Sequence, residues 1–212
     1  MTQAWWYLTR ASGIVAWLTL TASVVWGIAL SATTFPGRRR PAWMLDLHRW
    51  LGALTLAFVG LHIGALVADS YTHFGAADVL VPLASSWRPV AVAFGIVSGW
   101  LLVTVQVTSL AMRRLPRRAW HAIHLSSYAT FWLATLHALL AGSDRSNPLY
   151  LVTGAVAIAA VTGATAHRLR HRPPAPRAPR GRRPRRRGRP HTGRPLVEGQ
   201  LMGAQAPRAP RS

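Results

Sequence analysis

Four histidines occupy strongly apolar stretches of this chain, where an imidazole is costly to remove from water. His48 and His62 lie 14 residues apart in one stretch, and His124 and His137 lie 13 residues apart in another. Ionisable residues inside membrane-like segments are rare and usually functional. Neutral imidazole is also a common metal ligand. These four residues are therefore the first candidates for a site.

The spacing of the histidines predicts two facing pairs. Fourteen helical residues make close to four turns and rise about 21 Å, so His48 and His62 share one face at two depths. The 13-residue interval between His124 and His137 has nearly the same rise. If one crossing segment separates the two stretches, they run in the same direction. His48 then lies at the depth of His124, and His62 at the depth of His137.

Two facing imidazoles are the axial ligands of a six-coordinate haem iron. Zinc needs three or four ligands around one point, which pairs about 20 Å apart cannot supply. A proton relay would use carboxylates, and no Asp or Glu lies deep in the apolar stretches. The chain has no cysteine, which excludes thiolate metal sites and the covalent attachment of c-type haem. Two b-type haems stacked across the membrane fit these residues best.

The 13-residue interval poses a geometric difficulty, because it leaves His124 and His137 about 140° apart around an ideal helix. Either this helix contains a π-bulge or is overwound, or the haems lie off the helix axis.

Further residues are candidates for haem propionates and for the macrocycle. His121 is either a propionate partner near His124 or a histidine in interfacial water. Arg10, beside Gly13, and Arg49 lie at opposite ends of their helices and could bind propionates, although interfacial arginines are common. Three glycines also share a stripe that would admit either a porphyrin or a neighbouring helix: Gly52, Gly60 and Gly64.

Five apolar stretches are long enough to cross a bilayer, which takes about 20 helical residues. They are residues 13–32, 48–68, 89–112, 119–141 and 149–166. The first and third linkers contain GRRR and RRLPRR, whereas the second and fourth contain one arginine each. Arg-rich loops stay in the cytoplasm, which predicts an outer N-terminus and an inner C-terminus. The predicted fold is an all-α, multi-pass bundle of five transmembrane helices in the cell membrane.

The last part of the chain has a different composition. The formal net charge is +20, and arginine and proline dominate after residue 168. Such a segment cannot form a core, so residues 1–168 are predicted to form the membrane domain and residues 169–212 a disordered cytoplasmic tail. The tail either binds anionic lipid head groups or is a solvated, topogenic segment. It lacks interleaved aromatic residues, which argues against nucleic-acid recognition.

The sequence resembles the ferric reductase-like transmembrane domain family over roughly residues 5–168. The similar segments are RASGIVAW, LHRWLG with GLHIGAL, and WHAIHLSSYATFWLATLHAL. The family includes the membrane parts of ferric reductases and NADPH oxidases and the bacterial haem subunit of a methionine-sulfoxide repair system. The resemblance implies that His48 and His124 ligate an inner haem b, and that His62 and His137 ligate an outer one.

The resemblance also implies an oxidoreductase component that moves electrons from a cytoplasmic or quinol donor to an outer acceptor. The 212 residues depart from the family in lacking flavin and nicotinamide domains and a sixth helix, so we expect a separate flavin- or FMN-containing donor protein, or a quinol. Two alternatives stay open. One is a single-haem subunit that serves a periplasmic redox partner, and the other is a haem-free membrane scaffold whose tail recruits lipid or nucleic acid.

Overall fold

A computed structural model describes residues 2–31, 41–69, 74–143 and 146–170. The described chain is all-helical, and the predicted tail lies outside it from residue 171 onward. Its six helices are α1 (Thr2–Ser31), α2 (Ala42–Ala68), α3 (Ala76–Leu80), α4 (Pro89–Leu110), α5 (Arg117–Ala141) and α6 (Pro148–Arg170).

Prolines mark where four of these helices begin. Pro41 and Pro116 immediately precede α2 and α5, and Pro89 and Pro148 are the first residues of α4 and α6. Proline is favoured at helix starts because its ring fixes a helical φ and because the first backbone N–H groups have no partner within the helix.

Four helices are long and apolar enough to cross a membrane: α1 from Gln3, α2, α4 and α6. This supports a multi-pass membrane protein. The fifth predicted span is α5, whose 25 residues form a continuous helix. It falls below the hydropathy of the other four because it begins with arginines and carries three histidines. Large apolar side chains such as Trp50, Leu110 and Val156 are exposed on the helix surfaces, as lipid contact requires.

The helices pack as two hairpins. α1 packs along α2, and α4 packs along α5, while α6 and part of α5 contact α1. The buried core lies where α1, α4, α5 and α6 meet. It contains Leu20, Leu102 and Val161, with the fully buried Phe131 of α5 at its centre. α2 and α5 are not a closely packed pair, so their facing surfaces are free to present functional side chains to each other.

Candidate haem-binding site

The structure brings the four histidines together in the two pairs that their spacing predicts. His48 of α2 faces His124 of α5, with ring centroids 6.0 Å apart and ring planes at 73°. His62 and His137 lie farther along the same helices, with centroids 6.4 Å apart and planes at 83°. We call these the first pair and the second pair. Both pairs lie between the two hairpins.

The separation within each pair suits one metal ion between the rings. A metal–imidazole bond is about 2 Å long, and a five-membered ring with bonds near 1.35 Å has its atoms about 1.1 Å from its centre. Two rings on opposite sides of a metal therefore have centroids about 6.2 Å apart. The observed 6.0 and 6.4 Å lie on either side of this value.

In the second pair, the backbone fixes which ring nitrogen carries the proton. His62 Nδ1 lies 2.8 Å from the carbonyl oxygen of Thr9, and His137 Nδ1 lies 2.8 Å from that of Ala91. A carbonyl only accepts, so each Nδ1 must donate. Nε2 then keeps its lone pair. Metal-ligating histidines commonly have this arrangement, because the second hydrogen bond orients the ring and raises its basicity.

The first pair has weaker support of the same kind. His48 Nδ1 lies 3.4 Å from Ser23 Oγ on α1, and His124 Nδ1 lies 3.4 Å from Ser109 Oγ on α4. A hydroxyl can donate or accept, so these contacts do not fix the tautomer. In all four histidines, Nδ1 is turned toward the neighbouring helix of its own hairpin.

Glycines on α1 and α4 leave the space that the rings occupy. A methyl group on Gly95 would lie 2.7 Å from His137 Nδ1, and one on Gly13 would lie 2.9 Å from His62 Nδ1. Gly27 bears the same relation to His48, with a closest approach of 3.1 Å. Any larger residue at Gly13 or Gly95 would displace the ring. These helices therefore approach the histidines only because the positions are glycine.

These supporting residues were missed from the sequence, although the register contained a signal. Gly13 and Gly27 are 14 residues apart, the same interval as between His48 and His62 on the antiparallel neighbour. In the second pair, each carbonyl partner also lies four residues before the glycine that meets the same ring.

The predicted glycine stripe on α2 behaves differently. A methyl group on Gly52 would lie 3.0 Å from the Gln106 side chain of α4. Gly60 and Gly64 have nothing within 4 Å of that position. The stripe therefore contacts α4 at one end and faces open space along the rest of its length.

The other predicted propionate partners lie apart from the rings. The Arg10 guanidinium lies over the Trp6 ring, 4.1 Å from its centroid. Arg49 is exposed and forms a 3.3 Å ion pair with Asp46. His121 is exposed, and its ring makes an edge contact with Trp120. Of these residues, only His121 is one contact away from a histidine pair, through the stacking of Trp120 on His124.

The predicted π-bulge is not found in α5, which is α-helical throughout Arg117–Ala141. His124 and His137 therefore leave the helix in different directions, and each side chain still reaches its partner. A histidine side chain is long enough to approach a partner from either side of the helix face.

Arg88 is a residue near the second pair that the sequence did not single out. It precedes α4 in the left-handed conformation, with φ 42°, and donates a hydrogen bond to the carbonyl of Leu140. It also lines a cavity of about 430 Å³ together with Ala91, whose carbonyl holds His137. Left-handed non-glycine residues often occur at functional sites.

Two buried polar atoms lack a hydrogen-bond partner in the described chain, and each adjoins one histidine pair. Thr9 Oγ1 belongs to the residue whose carbonyl holds His62, and Trp120 Nε1 belongs to the ring stacked on His124. Buried polar groups are normally paired. Their position suits a bound group that offers polar atoms beside each pair, as haem does with its propionates.

The described residues contain no cluster of three or more His, Asp or Glu side chains that could hold a metal ion together. This is the arrangement that zinc would need. No protein-family model, curated protein or solved structure was found to match the chain. The histidine geometry is therefore the main basis for assigning a function.

Proposed function

We propose that the chain is a transmembrane cytochrome b of the ferric reductase-like type, which carries electrons between the two faces of the cell membrane. The proposal includes α5 as a fifth span, an outer N-terminus and an inner C-terminus. The observation that carries it is the presence of two pairs of facing imidazoles, each at the separation that one metal ion requires.

The first pair would hold one haem b near the cytoplasm, and the second pair would hold another near the outer face. When bound, haem supplies one-electron redox chemistry. The chain orients the ligands through the Nδ1 contacts and surrounds the pairs with apolar side chains, which lower the local polarity. Histidine on both sides of each iron leaves no open coordination position. Acceptors would therefore receive electrons at the edge of the cofactor rather than bind its metal.

The donor in this proposal is a separate flavin-containing protein or a membrane quinol on the cytoplasmic side. The acceptor is on the outer side, and a ferric complex, oxygen or a periplasmic redox protein would each meet this requirement. The chain is thus proposed as the membrane component of an oxidoreductase.

The test is a haem count on detergent-purified protein supplied with haem during expression. We expect a b-type reduced-minus-oxidised absorbance spectrum and two haems per chain by the pyridine haemochrome method. Single variants His48→Ala and His62→Ala should each keep one haem. The exposed His121→Ala is the matched control and should keep two.

Double variants test the pairing itself. His48→Ala with His124→Ala removes both ligands of one pair and should leave one haem. His48→Ala with His62→Ala breaks both pairs and should leave none. A wild-type chain without haem would refute the proposal, whereas equal haem contents in the two double variants would refute the pairing. A wild-type content of one haem would identify a single-haem subunit.

A further inference from the structure

Trp120 lies in the first turn of α5 and covers one face of a proposed ligand. Its ring stacks on His124, with centroids 5.1 Å apart and planes at 22°. Residues four apart in a helix lie on the same face, so this contact follows from the sequence order. The stack holds the imidazole plane from the side opposite α4.

The indole N–H of Trp120 has no acceptor. Its Nε1 is buried and without a hydrogen-bond partner in the described chain. Three other indoles, those of Trp17, Trp26 and Trp100, donate to protein oxygens at distances of 2.8 to 3.1 Å. An indole nitrogen can only donate, and leaving it buried and unpaired is unfavourable. The fold therefore keeps a donor in place beside the first pair.

The surroundings favour an anionic acceptor. Four exposed arginines, at positions 113, 114, 117 and 118, precede Trp120, and residues 110–124 include no Asp or Glu. The N-terminus of α5 adds a positive partial charge close to the ring. A carboxylate at Nε1 would receive a charge-assisted hydrogen bond, which is about twice as strong as a neutral one.

We infer that Trp120 Nε1–H donates to a carboxylate of the ligand held between His48 and His124, which on the proposed function is a haem propionate. Trp120 is then a positioning residue with two roles. Its ring fixes the plane of His124, and its N–H fixes the rotation of the cofactor about the axis between the two histidines. The donor also withdraws negative charge from the propionate, which raises the reduction potential of that haem.

Trp120→Phe tests this inference, because phenylalanine keeps the stack and removes the N–H. We expect the haem of the first pair to have a lower midpoint potential in a spectroelectrochemical titration. We also expect that haem to transfer to apomyoglobin roughly ten- to a hundredfold faster, since a hydrogen bond to a charged group is lost. The haem of the second pair should be unaffected. Trp132→Phe, at an exposed position of the same helix, is the matched control and should behave as wild type.

Reconstitution of the apoprotein with haem dimethyl ester provides a second measurement, because the esterified propionates carry no charge. We expect the difference in potential between wild type and Trp120→Phe to disappear with this cofactor. If Trp120→Phe keeps both haems with wild-type potential and transfer rate, the inference is wrong and the N–H is bound by water. A difference that persists with the ester would also overturn it. Absence of haem from the wild-type chain would instead refute the proposed function.

Discussion

Gly95→Ala places one methyl group where the structure leaves the least room beside a proposed ligand. The added carbon would lie 2.7 Å from His137 Nδ1 and 2.8 Å from its Cε1, whereas an ordinary contact begins at 3.4 Å. The ring must move by about 0.7 Å, and its 2.8 Å hydrogen bond to the Ala91 carbonyl would be strained or lost. Overpacking of this kind costs about 1–3 kcal/mol, and the hydrogen bond adds about 0.5–1.5 kcal/mol.

Alanine offsets part of this cost, since it is favoured over glycine in a helix by up to about 1 kcal/mol. We therefore expect Gly95→Ala to lower stability by about 1–3 kcal/mol, seen as a lower midpoint of thermal unfolding in detergent. On the proposed function, the haem of the second pair should be lost selectively or change its midpoint potential.

Gly99→Ala is the matched control, because it lies one turn later on α4 and has nothing within 4 Å of the added methyl. It should be neutral or slightly stabilising and should leave both haems unchanged. If the two variants have the same haem content, potentials and thermal midpoint, then the glycine at position 95 does not shape this site and the reasoning is refuted.

Three further predictions concern ligand geometry, packing and backbone strain. Ring planes at 73° and 83° should give the oxidised protein a highly anisotropic low-spin EPR signal, and a rhombic three-line signal would contradict that geometry. Trp17 Nε1 donates to Thr135 Oγ1 at 3.0 Å, so a double-mutant cycle of Trp17→Phe and Thr135→Val should show a coupling of about 0.6–1 kcal/mol in thermal or denaturant unfolding; additive effects would exclude this bond. Leu83 is exposed with φ 69°, and Leu83→Gly should raise the unfolding midpoint because glycine adopts this conformation without strain; an unchanged or lower midpoint would show that no strain is stored there.

The sequence was sufficient to predict which histidines meet. Depth along a helix depends only on the residue count and the 1.5 Å rise, so the matching intervals of His48–His62 and His124–His137 determine the pairs once both helices run in the same direction. Four of the predicted spans are helices of sufficient length and hydropathy for the same reason, namely that long apolar runs have few alternatives. The difficulty about the angle between His124 and His137 arose from treating side chains as fixed radial vectors.

The supports of the rings could not be predicted in the same way. The carbonyls of Thr9 and Ala91 have no side-chain signature, because every residue has a backbone carbonyl. Whether a glycine meets a histidine, as Gly95 does, or faces open space, as Gly60 does, depends on the rotation of each helix about its axis. That rotation is set by packing over the whole bundle, which a single sequence does not reveal.

The origin of the ring supports has a consequence for assembly. Each histidine of α2 is supported from behind by α1, and each histidine of α5 by α4, so every hairpin is finished as a half-site before it meets the other. On the proposed function, the cofactor would dock on one prepared half and recruit the second. Cofactor loading and closure of the bundle would then be one coupled event, with metal affinity contributing directly to the tertiary structure.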